Sequence, residues 1–119
     1  MRADQPWEGG LVEGPSMVAH DGRNYLFYSA NDWASERYAI GYAVCSTPLG
    51  PCTKPLSQPW LASNDTVQGP GGQEFFTDTS GQLWMVLHAW VHGRVGYPFG
   101  ARNVFVLRVV FSNGVPEAA

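Results

Sequence analysis

Charge is scarce in this chain. Only 14% of its 119 residues are Asp, Glu, Lys or Arg, and a single lysine, Lys54, stands beside dispersed arginines. A nucleic-acid surface needs clustered cations, so this dispersion and the net charge of -3 exclude one. Long apolar runs are also missing. None approaches the roughly 18 residues that cross a bilayer as a helix, and no membrane partner is expected. The opening Met1-Arg2-Ala3-Asp4-Gln5-Pro6 has no apolar centre and does not read as a signal peptide. Absent too are a phosphate-binding Gly-rich loop, a Gly-x-Ser-x-Gly elbow and a Cys/His cluster of metal-ligand spacing. Nucleotide chemistry and serine hydrolysis therefore lack support. No segment carries helical periodicity.

What the chain does have is apolar residues, at 45%, punctuated by 14 glycines and 9 prolines. That is too apolar for a disordered segment, and the length suits one domain, residues 1–119. Strand signals dominate. Ser16 to His20 and Tyr25 to Ala30 flank Asp21-Gly22, a hairpin pair. Ala39 to Cys45 makes a third strand. The pattern recurs with Gln73 to Thr77, an Asp- and Gly-bearing turn, Leu83 to Trp90, a Gly-rich loop, and Asn103 to Phe111. Cys45 and Cys52 flank a short Pro- and Gly-bearing loop and stand within disulfide reach. A bridge there suggests an oxidising, secreted or extracytoplasmic setting; two free buried thiols are the alternative.

Two similar units thus follow one another, at about 13–62 and 69–114. Their Gly-Pro pairs, Gly14-Pro15 and Gly69-Pro70, stand 55 residues apart. Repeats of this size, built from about four strands, are blades of a β-propeller. Tyr25 to Ala30 and Leu83 to Trp90 are apolar at nearly every position, whereas a half-exposed sheet alternates. Sandwiching each sheet between neighbours explains this better than a two-sheet β-sandwich does. The expected fold is all-β: two antiparallel blades of a larger propeller. Two blades do not close a ring, so apolar faces are left for missing N-terminal blades or a partner chain.

These motifs resemble, in order, the C-terminal two blades of glycoside hydrolase family 43, the five-bladed β-propeller glycosidases. The matching stretches are Val12-Glu13-Gly14-Pro15, Tyr25-Leu26-Phe27-Tyr28-Ser29, Tyr38-Ala39-Ile40-Gly41-Tyr42-Ala43, Leu49-Gly50-Pro51, Gly69-Pro70-Gly71-Gly72 and Leu83 to Ala89. The resemblance implies an inverting hydrolase of arabinofuranosyl or xylosyl linkages in an oligo- or polysaccharide, with Glu13 as general acid. It implies a general base and a pKa-tuning Asp in earlier blades, so this chain alone is expected to be inactive. An axial calcium ion is the candidate cofactor. Gly72 departs from the pattern, because the family carries a His there beside that ion.

The chemistry asks for a protonated carboxyl at the leaving oxygen and a second carboxylate about 6.5–9.5 Å away to activate water. Gly14-Pro15 fixes the backbone after Glu13. Glu8, in Trp7-Glu8-Gly9, is the rival carboxyl, and an ordinary surface Glu the plain alternative. Arg102 opens a strand after a Gly-rich loop, where it is expected to hold a carboxylate or sugar hydroxyls; a surface ion pair is its alternative. His88 is either a satisfied core residue or a polar contact near the axis. Gln73 stands where hydrogen bonding of the absent His is wanted, with Glu74 next to it. Trp33, ahead of Trp7 and Trp90, is the candidate sugar platform at the rim, while Trp60 and Trp84 are expected in the core. His20 and His92 read as strand-end or loop residues. A non-catalytic carbohydrate-binding or structural module is the competing function.

Overall fold

The computed structural model describes all 119 residues. A short 3-10 turn, Pro6–Glu8, precedes eight strands: β1 (Val12–His20), β2 (Arg23–Ala30), β3 (Ala39–Cys45), β4 (Cys52–Thr53), β5 (Gln68–Thr77), β6 (Leu83–Trp90), β7 (Arg102–Ser112) and β8 (Val115–Ala118). They form two four-stranded antiparallel sheets, ordered β1-β2-β3-β4 and β5-β6-β7-β8. Asp21 and Gly22 both take positive φ, at 49° and 72°, the geometry that tight hairpins favour. Asn113 and Gly114 do the same between β7 and β8.

The sheets occupy 12–53 and 68–118, against units expected at 13–62 and 69–114. The first ends early because β4 is only two residues long; Pro55 and Pro59 follow it and cannot donate to a ladder. One bridge, Ile40 to Leu61, carries the chain on. The second runs later because the Asn113-Gly114 turn adds β8. Moreover, β5 starts at Gln68, so the Gly-Pro-Gly-Gly run is part of a strand, bulged between Gln68, Gly71 and Glu74. Cys45 and Cys52 are disulfide-bonded across the β3–β4 hairpin.

One face of each sheet makes the core. Val18, Tyr25, Phe27, Ile40 and Tyr42 of the first sheet meet Met85, Leu87 and Val109 of the second. Phe27 reaches across to Phe75, with ring centroids 4.6 Å apart. The opposite face of the first sheet is covered by the N-terminal segment, where Trp7 stacks on buried Tyr28; that of the second sheet is bare along β7. In β7, Phe105, Leu107 and Val109 pack inward, while Val104 and Val106, which alternate with them, are 72% and 52% exposed. Trp60 and Trp84 are half-buried rather than central. Each keeps its indole N–H at a polar edge, Trp60 on the Pro116 carbonyl and Trp84 on the Asp78 carboxylate.

Glu8 pins the N-terminal segment to the first sheet. Its carboxylate is sealed from solvent and accepts from Lys54, the Tyr28 hydroxyl and the backbone amides of Asp4 and Gln5, at 2.7–3.0 Å. Burial alone would raise this carboxyl. Lys54, the Gln5 amide, Tyr28 and the Asp4 amide outweigh it and hold the group below its ordinary 4.5. The unfolded chain therefore binds this proton more tightly than the folded one. The resulting stability is complete above pH 4.5 and is lost as pH falls through the folded value. The urea midpoint is expected to drop below that pH. Glu8→Gln should cost about 1–3 kcal/mol at pH 7 and flatten the acid slope; an unchanged slope in the variant would remove Glu8 as its cause.

Candidate active site

Antiparallel pairing gathers six strand ends at one end of the molecule. Val12 pairs with Ala30 and Ala30 with Ala39 in the first sheet; Gln68 pairs with Trp90 and Trp90 with Arg102 in the second. Glu13 stands at the start of β1, whose register shifts between Glu13 and Ser16. Its side chain is exposed, and Oε1 accepts a hydrogen bond of 2.8 Å from the Tyr38 hydroxyl. Burial, with the Glu13 carboxylate adding to it, pushes the Tyr38 phenol up to about 12. Tyr38 therefore stays protonated and donates at any ordinary pH.

The Tyr38 ring packs against Gly71 of β5. A Cβ at Gly71 would overlap that ring, and a Cβ at Gly72 would overlap the His88 imidazole. The two glycines thus leave room for two rings from elsewhere in the fold. Tyr38 and His88 lie nearly parallel, at 22° with centroids 6.5 Å apart. The Arg102 guanidinium sits 5.6 Å from the Tyr38 ring centre and 5.1 Å from that of Trp90, within cation–π range.

Arg102 is expected at a carboxylate or substrate, but the structure spends most of it inside the protein. Nε donates to His88 Nδ1 at 2.6 Å; Nη2 donates to the carbonyls of Gly69 and His88, and Nη1 to that of Trp33. Four of five N–H groups are engaged, and none reaches Glu13. Arg102 ties the Trp33 loop to β5 and β6. Gln73 is likewise redirected. It is buried, with Oε1 accepting from the Ser29 hydroxyl and Nε2 donating to the Gly14 carbonyl. Ser29 also accepts from the Gly72 amide. Gln73 therefore braces β1 just after Glu13 from the neighbouring sheet. Glu74 is exposed and accepts from Ser16. His88 is half-buried beside Arg102; burial, then the Arg102 charge, lower it, against an opposing pull from Glu13.

Trp33 is 47% exposed at the rim, its ring stacked on buried Trp90 at 15°. Tyr97, 65% exposed, extends this aromatic patch, with its ring 6.3 Å from Trp33 and 5.0 Å from Trp90; Phe99 is exposed in the same loop. An open groove of about 990 Å³ runs from Trp33 past Asn31, Glu36 and Arg37 to Trp7; Glu13 lies outside it. Of the rim residues, Tyr97 and Phe99 carried a readable signal, two aromatics in a Gly- and Pro-bearing loop. Tyr38 and Ser29 carried none, because their partners are remote in sequence. His20 ends β1 and stacks on Phe111, while His92 is exposed in the loop after β6.

An axial calcium ion does not fit the residues present. Calcium takes six to eight oxygen ligands. Gly72 offers no side-chain atom, a guanidinium adjoins His88, and no group of three or more His, Cys, Asp or Glu is placed to hold a metal.

The profile of "Glycosyl hydrolases family 43" matches residues 1–116. The chain is 30% identical over 80 residues to beta-D-galactofuranosidase xynD of Aspergillus niger, covering 66% of the chain and 23% of that protein. It is 30% identical over 122 residues to a probable arabinan endo-1,5-alpha-L-arabinosidase A of Neosartorya fischeri, covering 88% and 38%. Among solved structures, a thermostable family-43 glycoside hydrolase superposes with a TM-score of 0.86 at 34% identity, over 99% of the chain and 40% of its own. An endo-1,4-beta-xylanase from Bacteroides thetaiotaomicron gives 0.87 at 30%, over 100% and 42%. The chain thus spans well under half the length of these relatives.

Gly72→Ala should lower stability by about 1–3 kcal/mol in urea unfolding, from overlap with His88 and a φ of +63°. A neutral result would mean that His88 does not occupy that space.

Proposed function

Since the chain belongs to glycosyl hydrolase family 43 and forms two blades of its five-bladed propeller, we propose that it carries the general acid of an inverting glycosidase acting on arabinofuranosyl or xylosyl linkages. Glu13 is that acid. One observation carries the reading: the Glu13 carboxylate is fixed by Tyr38 at the end of the molecule where β5 glycines and Arg102 converge. The relatives' names, a galactofuranosidase, an arabinosidase and a xylanase, support a pentose-type or furanose substrate.

In this mechanism Glu13 protonates the leaving glycosidic oxygen. Tyr38 donates to Oε1, so the transferable proton is carried on Oε2. The base that activates water and the Asp that tunes the acid come from the remainder of the propeller, about 6.5–9.5 Å across the cleft in the base's case. Trp33 presents a ring to the sugar's C–H face, with Tyr97 beside it. Arg102 and Gln73 act by holding this frame. The Cys45–Cys52 bridge supports an extracytoplasmic location.

The test is a graft. With this chain spliced in place of the matching two-fifths of the thermostable relative, Glu13→Gln should lower kcat by about 10²–10⁴-fold on substrates with poor leaving groups and far less on aryl glycosides with good ones. Equal losses on both, or none, would sink the acid role. The exposed aromatic patch favours one other reading, carbohydrate binding without hydrolysis. Glycan binding by the 119-residue chain that survives Glu13→Ala and fails in Trp33→Ala would select it.

A further inference from the structure

His88 has two ring nitrogens, and the structure treats them differently. Nδ1 lies 2.6 Å from Arg102 Nε. An arginine Nε always carries its hydrogen and cannot accept, so Nδ1 must supply the lone pair. A doubly protonated imidazolium would set one N–H against another here. The neutral ring then keeps its only proton on Nε2. No protein group accepts from Nε2, yet that atom is not sealed away, since every buried side-chain nitrogen and oxygen has a partner. Gly72 accounts for the opening: a Cβ at that position would run into Nε2.

We infer that Arg102 fixes His88 as a hydrogen-bond donor through Nε2–H, so that this corner of the site receives an oxygen acceptor, a sugar hydroxyl or a carboxylate, and gives no ligand to a cation. A lone pair for a metal at Nε2 would require the proton to move to Nδ1, against the Arg102 hydrogen. The neighbouring guanidinium charge repels a cation as well. Arg102 acts here as a positioning residue, setting the tautomer and ring orientation of the group that meets the ligand. The inference needs no role for Glu13 and stands apart from the proposed reaction.

Imidazole nitrogen NMR of the isotopically labelled chain reads it directly, with His20 and His92 as internal references. The expected spectrum gives His88 an unprotonated, pyridine-like Nδ1 and a protonated, pyrrole-like Nε2, neither moved by millimolar calcium chloride. Arabinose and sodium acetate are the oxygen probes. A shift of Nε2 with either supports the assignment; arabinose alone makes the partner a hydroxyl, acetate alone a carboxylate. An unprotonated Nε2, a calcium-dependent shift at that nitrogen, or no response to either oxygen probe overturns it.

Discussion

The structure depends on one close approach: the Tyr38 ring from the first sheet against the bare backbone of Gly71 in the second. Glycine inside a strand weakens it, because it has no side chain to pack and loses more entropy on folding. Here that loss is offset by a ring from another blade that fills the space. The same contact sets the orientation of the Tyr38 hydroxyl, which holds Glu13. Gln73 and Ser29 repeat the logic with hydrogen bonds, joining Gly72 and Gly14 across the seam. The catalytic candidate is therefore held by packing between two sheets rather than by its own strand.

The chain contains Glu-Gly twice, and the two carboxylates have opposite fates. Glu8 is buried with a lysine, a phenol and two amides, all its lone pairs spent on pinning the N-terminal segment. Glu13 is exposed and has one partner, which leaves its second oxygen free to exchange a proton. A structural carboxylate needs full satisfaction; an acid needs an oxygen to spare. The dipeptide alone does not separate these roles. Distance from Lys54 and closeness to Tyr38 do.

Local features were legible in the sequence where local physics decides them. The Asp21-Gly22 turn needs positive φ at two positions, and its residues announce that. Asn113-Gly114 carries the same signal and turns the chain into β8. The lack of alternation in Leu83 to Trp90 implies two covered faces; in the structure burial is complete on one face, and the bare Val104 and Val106 mark where the other wants a cover. Contacts distant in sequence were not legible. Ser29 meets Gln73 across 44 residues and Arg102 meets Trp33 across 69, and neither has a sequence motif. Arg102 and Gln73, candidates for substrate contact, also brace the frame through bonds to His88 and to backbone carbonyls that no local motif announces.

The most direct measurement on this seam is a double-mutant cycle between Gly71 and Tyr38. If the ring occupies the glycine's missing side-chain space, Gly71→Ala costs about 1–3 kcal/mol in the native sequence and close to nothing in a Tyr38→Ala background, a coupling visible in urea unfolding. Equal costs in both backgrounds would mean that the two residues do not meet, and the placement of Glu13 would lose its foundation.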